Sequence, residues 1–252
     1  MDIKFKEDFI VLWKRFFGEA ELPITFYYTN EEGQAELMKP DTIALRCVIA
    51  ALSLVRKGRA LCFDAESIGC PDGQYCLGFR ETFEPEDEYF ISYGIPGKVE
   101  GERYMKTPEI GAEALKLIPS FKAPARFMVF KRWDSLNESD EPDVVIFFAR
   151  PDVLSGLFTL ANFEETEPND VFTPWTSGCS SIVQYPFLEK DSVRPRAVIG
   201  LFDVSPRSYI PENTLSFSVP MRKFEHMVRD MKESFLTTNS WKTIQKRIKG
   251  AP

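Results

Sequence analysis

The start of the chain carries apolar residues at helical spacing: Phe5, Phe9, Leu12, Trp13, Phe16 and Phe17. This periodicity predicts an N-terminal amphipathic helix. Pro23 then introduces the stretch "ITFYYT", whose β-branched and aromatic residues predict a strand.

Residues 41–57, "DTIALRCVIAALSLVRK", are apolar on almost every side of a helix, which predicts a buried helix. Asp41 or Thr42 can cap its start, and Gly58 can end it. Cys47 lies within this segment, so we expect it to be a packed thiol in the core.

Further elements follow from the same reasoning. Helices are predicted around 108–118, at 151–161 and in the segment with Phe224, Met227, Met231 and Phe235 on one face. Strands are predicted in "YFISYGI", "ARFMVFKRW", "DVVIFFAR", near 182–187, in "AVIGLFDV" and in "TLSFSVP". A basic segment at 241–249 closes the chain, and we expect a solvated helix face there. The absence of a regular βαβ rhythm favours the α+β class.

Two segments of the chain resemble each other. Residues 61–79, "LCFDAESIGCPDGQYCLGF", and residues 171–187, "VFTPWTSGCSSIVQYPF", both contain a phenylalanine, five residues, Gly-Cys, a Gln-Tyr pair and a second phenylalanine. The offset is 109 residues both between Phe63 and Phe172 and between Cys70 and Cys179.

The match extends upstream, because "ITFYYT" and "VVIFFAR" each precede a Pro-Asp pair that can start a helix, Pro40-Asp41 and Pro151-Asp152. We therefore predict two related strand–helix–strand halves packed into one globular unit, at 1–120 and 121–252. The N-terminal helix and the first Gly-Cys turn belong to the first half, the second turn and the C-terminal helix to the second. Cys70 and Cys179 would then face each other or line a cleft between the halves.

Several passages together resemble a known family: "LPITFYYT", "CVIAALSLVRKGRALCF", "GCPDGQYCLGF", and "GCSSIVQYPF" followed by "LSFSVPMRKF". They are similar to the uncharacterised family catalogued as domain of unknown function 169, over most of the chain. The resemblance implies a stand-alone protein of prokaryotic type with cysteine-bearing turns. It implies no established catalytic activity.

Composition narrows the possible partners. The chain has 252 residues and a formal net charge of −7, so we expect neither nucleic acid nor an anionic membrane surface as a partner. No apolar run reaches the length of a membrane span, and "MDIKFKEDF" lacks the apolar core of a signal peptide. We expect a cytoplasmic protein, in which the five cysteines are thiols or ligands and not disulfides. A homo-oligomer stays open.

The paired turns are the candidate ligand site, formed by Gly69, Cys70, Gly178 and Cys179. Glycine beside each cysteine would allow close backbone approach to a ligand. A metal or an iron–sulfur cluster is a second interpretation, with these thiolates as ligands: Cys62, Cys70, Cys76 and Cys179. The spacings in the first half, seven and five intervening residues, match no compact C-x-x-C motif, and the second half lacks counterparts of Cys62 and Cys76.

Two rival interpretations remain for this stretch. A cysteine in a glycine-containing turn can have a lowered pKa and react as a thiolate. Alternatively, Pro-Asp-Gly is only a tight turn before the apolar strand "YCLGF". His226 is the single histidine and lies off the apolar stripe of its helix, which argues against Cys-His and Ser-His-Asp catalysis and against a multi-histidine metal site. Acid–base chemistry by Asp64, Glu66 or Asp72 remains open.

The leading functional hypothesis is therefore the binding of a small molecule or metal cofactor at the paired turns, in a redox or sensing role. An enzyme that uses Cys70 or Cys179 is the alternative. A purely structural or interaction protein is the third.

Overall fold

A computed structural model describes residues 1–39 and 47–250 of the chain. In these ranges it contains a single mixed sheet of eight strands together with nine α-helices. The predicted α+β class is confirmed. No helix within the described ranges is long and apolar enough to cross a membrane.

The helices are α1 (Ile3–Phe17), α2 (Val48–Arg56), α3 (Pro71–Cys76), α4 (Asp87–Phe90), α5 (Pro108–Leu117), α6 (Pro151–Ala161), α7 (Tyr185–Glu189), α8 (Met221–Asp230) and α9 (Asn239–Gly250). The strands are β1 (Ile24–Thr29), β2 (Glu36–Leu37), β3 (Leu61–Phe63), β4 (Phe127–Arg132), β5 (Val144–Ala149), β6 (Val171–Phe172), β7 (Ala197–Gly200) and β8 (Leu215–Pro220). A π-helical turn, Ser180–Gln184, runs directly into α7.

The sheet has an approximate two-fold arrangement about its central strand pair. Its order is β2-β3-β4-β1-β5-β8-β7-β6, and β1 and β5 pair antiparallel at the centre. On one side, β4 pairs antiparallel with β1, β3 pairs antiparallel with β4, and the short edge strand β2 pairs parallel with β3. On the other side, β8 pairs antiparallel with β5, β7 pairs antiparallel with β8, and the short edge strand β6 pairs parallel with β7. The arrangement therefore makes β1, β2, β3 and β4 the counterparts of β5, β6, β7 and β8. Common origin of the two groups stays a prediction.

The predicted equivalence of the helices at 41–57 and 151–161 is wrong. The two-fold axis of an antiparallel pair is perpendicular to the sheet, so it maps each face onto itself. However, α2 packs on the face that carries Ile24 and Phe26, whereas α6 packs on the opposite face with Val145 and Phe147. Residues 40–46, which include the Pro40-Asp41 pair, lie outside the described residues.

The helical segment 180–189 is the better counterpart of α2, because each connects an edge strand to the neighbouring strand on the same face of the sheet. Phe63 lies in β3 and Phe172 in β6, so this predicted pair does not follow the strand equivalence either. The division at 120/121 stays a prediction, but the pairing of β4 with both β1 and β3 favours a boundary within 133–143.

The two faces of the sheet carry different layers. The helical face, defined by α1, α6, α8 and α9, has an aromatic core in which Trp13 stacks on Phe17 with 4.2 Å between ring centroids. The indole of Trp241 in α9 is buried there and donates to the Phe16 carbonyl at 2.9 Å. The closing segment is therefore docked through Trp241, while basic residues such as Lys242 and Lys246 stay exposed.

The cysteine face is the opposite layer, covered by α2, α3 and the segment 180–189. Its core contains Phe26, Phe63, Phe130 and Ile146 from the strands, and it also buries Cys76 and Cys179. The two Gly-Cys turns therefore lie on the same side of the sheet.

Candidate functional site

The first wall of the site is α3, in a segment where the sequence predicted a turn and a strand. Cys70 caps this helix, since its Sγ accepts a hydrogen bond from the Gly73 amide at 3.5 Å. Pro71 occupies the first helical position and Asp72 lies in the first turn, both favourable at a helix start. The cap therefore converts "PDGQYC" into helix and places Asp72 and Cys76 one turn apart on the same side.

The second wall begins at Ser177. Its hydroxyl accepts a hydrogen bond from the Ser180 amide at 3.4 Å, and the Gly178 amide donates to Asp203 Oδ2 at 3.2 Å. The helix that follows was predicted as a strand near 182–187. Pro186 has no N–H to donate within this helix, and the π-helical turn directly before α7 is a distortion associated with such interruptions.

The first turn of α2 holds the two walls together. A Cβ atom at Gly73 would lie 3.1 Å from Val48 Cγ2, and one at Gly178 would lie 3.6 Å from Ile49 Cγ1. Both turns thus pack closely against the start of α2, whose N-cap residue is Cys47. Cys47 is half-buried at this helix start and not inside the helix as the sequence suggested.

The walls meet through polar side chains. Cys76 Sγ lies 3.3 Å from Ser177 Oγ, and the Cys76 thiol points to Asp72 Oδ1 at 3.8 Å. The name cysteine site is used below for this group of residues: Cys47, Cys70, Asp72, Cys76, Ser177 and Cys179. The structure thus brings the two predicted Gly-Cys turns into one region and adds Cys47, Asp72 and Ser177 to it.

Three thiols of the site, those of Cys70, Cys76 and Cys179, have pKa values raised above the ordinary value. Burial raises the pKa of Cys70, although the hydrogen bond from Gly73 partly offsets it. Burial is also the main reason why the pKa values of Cys76 and Cys179 lie well above the ordinary value. This direction is opposite to the lowered pKa that a reactive thiolate requires.

The carboxyl group of Asp72 has a pKa raised towards neutral pH. Burial raises its pKa to about 6, and the negative charges of Asp203 and Asp87 add to the effect. The Ser177 hydroxyl and the Cys76 thiol favour the charged form, which limits the rise. Both protonation states of Asp72 are therefore populated within a physiological range of pH.

The predicted set of metal ligands does not converge. Cys62 lies in β3 between Leu61 and Phe63, so its side chain points to the other face of the sheet, where it packs with Tyr27 and Val129. Burial and the charge of Asp64 raise its pKa to about 11. Among the described residues, no group of three or more His, Cys, Asp or Glu side chains is arranged to hold a metal ion.

The glycines of the two turns have different surroundings. Gly69 is exposed, whereas Gly178 is buried, and a Cβ there would lie 3.1 Å from Leu201 Cδ2 and 3.3 Å from Pro206 Cγ. Glycine at 178 therefore permits close packing of the turn against the segment 201–206. Gly69 and half-buried Cys70 form the solvent edge of the site.

Apolar side chains next to the second wall face solvent. Trp175 lies two residues before Ser177, and Phe202 and Val204 are the chain neighbours of Asp203. Their exposed fractions are 55%, 57% and 70%. The name apolar rim is used below for these three residues. Half-buried polar groups and exposed apolar side chains therefore lie close together along the chain at the second wall.

Two buried hydroxyl groups lie on the same face without a hydrogen-bond partner among the described residues: those of Ser216 and Ser218 in β8. A Cβ at Gly200, the cross-strand neighbour of Ser216, would also contact Ser181 of the π-helical turn. Sequence reasoning missed these residues because alternation in "LSFSVP" assigns serines to a solvated face, whereas β8 lies between β5 and β7 under a helical layer.

Residues 13–230 match the family model for domain of unknown function 169, described as "Uncharacterised ArCR". The chain belongs to this family, and the resemblance noted in the sequence is confirmed. The matched region runs from within α1 to the end of α8 and includes every residue of the cysteine site. Neither the curated proteins nor the solved structures contain a match to the chain.

Proposed function

We propose that this member of the family binds a small molecule at the cysteine site, with Asp72 and Ser177 as its main polar contacts. The observation that carries the proposal is the half-buried Asp72 carboxyl, whose pKa is raised to about 6 and which meets Ser177 and Cys76 where the two turns join. A buried carboxylate is costly to a fold, and such groups are concentrated at functional sites.

The surroundings of Asp72 define the kind of ligand. Asp203 and Asp87 already add negative charge, so an anionic group would be repelled. A hydrogen-bond donor, neutral or cationic, would satisfy the carboxylate. The apolar rim would cover a flat or apolar body, while Gly69 and Cys70 would bound the ligand at the solvent edge.

A second candidate function follows from the same pKa. A carboxyl group that titrates near pH 6 can exchange a proton with a bound molecule, so the ligand could be a substrate and Asp72 a general acid or base. In the alternative hypothesis from the sequence, Cys70 or Cys179 was the catalytic group. We propose Asp72 for that role instead, because the raised pKa values of Cys70 and Cys179 do not support a thiolate.

Binding can be tested with three probes of equal shape: benzamide, benzamidine and benzoate. Each would be titrated at pH 7 while the indole N–H signal of Trp175 is followed by ¹H–¹⁵N NMR, assigned with Trp175→Phe. We expect saturable shifts with benzamide and benzamidine but not with benzoate. Asp72→Asn should weaken benzamidine binding on the order of tenfold, because it removes the charged acceptor.

Glu66→Gln is the matched control, since it removes one acidic charge from an exposed position of the same passage. It should leave the titrations unchanged. Absence of any saturable shift, or equal binding of benzamidine to Asp72→Asn, would refute the proposal.

Metal binding is tested separately by anaerobic purification followed by metal analysis. The small-molecule proposal predicts no stoichiometric iron or zinc. Stoichiometric metal that disappears in both Cys70→Ser and Cys179→Ser would restore the metal interpretation and contradict the small-molecule proposal.

A further inference from the structure

A cavity lies on the other side of the sheet from the cysteine site. Its volume is about 350 Å³, and it is bounded by the end of α6, the acidic residues 164–165, the loop 193–195 and one face of α8. This volume suits a small ligand. Leu160 and Met227, two members of the core of the helical face, form its floor.

The side chain of Asp230 lines this cavity and is only 6% exposed. Its carboxylate has neither a hydrogen bond nor an ion pair with any residue in the described ranges. Burial and the charges of Glu164 and Glu233 raise its pKa to about 6, while His226 and Arg229 act in the opposite direction. An acidic group is thus held beside the cavity without a partner in the described part of the chain, at a cost to the fold.

Two cations of the same wall, buried Lys223 and half-buried Arg194, are already paired. Lys223 Nζ lies 2.8 Å from Asp170 Oδ2 and 3.3 Å from Glu165 Oε1. Arg194 pairs with the same two acids. These two cations and two anions balance, so Lys223 and Arg194 do not neutralise Asp230.

The mouth of the cavity adds a second acid. Glu164 is exposed and lies 3.5 Å from His226 Nδ1. Arg222 also lines the opening, where its guanidinium donates to the backbone carbonyls of Ser192 and Val193. An ammonium group between Asp230 and Glu164 would relieve the repulsion between them.

We propose that this cavity is a second ligand site, which takes a small organic cation with its ammonium group on Asp230 and its apolar part against Leu160 and Met227. A bare metal ion fits less well, since no three acidic or cysteine side chains in the described part of the chain converge on one point. An organic cation uses both the unpaired acid and the apolar floor. The inference is independent of the function proposed for the cysteine site.

The test is a titration with benzylamine, compared with benzyl alcohol and benzoate, at pH 7.5 and up to about 20 mM, the affinity range of such fragments. The readout is the Met227 methyl signal in a ¹H–¹³C spectrum, assigned with Met227→Leu. We expect a saturable shift with benzylamine and binding of benzyl alcohol weaker by about tenfold or more.

Asp230→Asn should weaken benzylamine on the order of tenfold, and Glu164→Gln should weaken it about two- to threefold because that acid is solvated. The matched control is Glu225→Gln, which removes an exposed acid from α8 outside the cavity and should have no effect. Asp72→Asn should have no effect either, which separates the two sites.

Tighter binding of benzoate than of benzylamine would assign the cavity to anions through Arg222 and overturn the proposal. Equal affinity of benzylamine for the wild type and Asp230→Asn would overturn it as well. If Asp230→Asn does not fold, an unchanged affinity in Glu164→Gln contradicts the inference on its own.

Discussion

The two faces of the sheet differ in what they bury. On the helical face, Phe147 lies among aromatic rings that include Trp13 at 5.0 Å and Phe224 at 5.9 Å between ring centroids. On the cysteine face, the corresponding layer holds a carboxyl group, several thiols and two hydroxyls that have no hydrogen-bond partner among the residues described. Apolar burial stabilises a fold, whereas buried polar groups without full satisfaction cost free energy. The difference indicates that the aromatic core of the helical face stabilises the fold, whereas the polar groups within the core of the cysteine face reduce its stability locally.

A single strand shows this division. In β8, Phe217 and Val219 point into the aromatic core of the helical face. Ser216 and Ser218, which alternate with them along the strand, point to the cysteine face and lack partners among the described residues. The period of two along a strand thus lets neighbouring residues serve different roles.

The largest expected effect is on the helical face. Phe147→Ala should lower the free energy of unfolding by about 3–5 kcal/mol, because it removes a fully buried ring from the centre of the aromatic core. Chemical denaturation measures the change. Phe158→Ala on α6 is the control, since that ring is 42% exposed and should cost much less. Equal losses for the two variants would contradict the assignment of this face.

A substitution at the cysteine site is expected to increase the free energy of unfolding, in contrast to the decrease expected for Phe147→Ala. The folded-state pKa of Asp72 is raised from 3.8 to about 6, so the folded protein holds a proton that the unfolded chain has lost. Stability therefore falls as the pH rises through this interval. Asp72→Asn removes the titrating group and should raise the free energy of unfolding by about 1–3 kcal/mol at pH 8, relative to wild type.

The same comparison at pH 3.5 should show little of this gain, because Asp72 is then protonated in the folded state and mostly protonated in the unfolded chain, whose pKa is 3.8. Denaturation curves of wild type and variant at the two pH values measure the effect. Because both proteins contain Asp230, its titration contributes equally to both and cancels when the variant is compared with wild type at the same pH. A variant that is less stable than wild type at pH 8 would show that Asp72 contributes to the fold and is not held at its expense.

The smallest effect is expected at the unpartnered hydroxyls. Ser218→Ala should change the free energy of unfolding by about 0–1 kcal/mol in the stabilising direction, since no hydrogen bond within the described part of the chain is lost. Ser181→Ala is the matched control, because its hydroxyl donates to the Gly178 carbonyl at 2.9 Å and accepts from the Leu201 amide. The control should lose about 1 kcal/mol or more. A larger loss for Ser218→Ala than for the control would mean that Ser218 has a partner.

Elements with a strong local period could be predicted from the sequence. The helix predicted at 151–161 is α6, with the same bounds, and the predicted strands "ITFYYT", "ARFMVFKRW" and "DVVIFFAR" correspond to β1, β4 and β5. The segments 71–76 and 180–189 could not be predicted, because their helices depend on the Cys70 cap and on packing against α2. Local pattern also gives no information on which side of the sheet a connecting helix packs, so the predicted pairing of α2 with α6 is wrong.

The site was only partly accessible to sequence reasoning. The Gly-Cys pattern located both turns, but in the sequence Asp72 resembles a surface acid, because its burial depends on the second half of the chain. The exclusion of Cys62 could have been predicted. It alternates with Leu61 and Phe63 in a three-residue strand, so it points away from the face on which those two residues lie.

The central claim is that the cysteine site keeps a protonatable carboxyl group between its two walls. The most direct measurement is a ¹³C NMR titration of the aspartate side-chain carboxyl signals, with Asp72 assigned by its absence in Asp72→Asn. We predict a midpoint for Asp72 at about 6. A midpoint near 3.8, the ordinary value for aspartate, would contradict this claim and would leave the cysteine face without its titrating group.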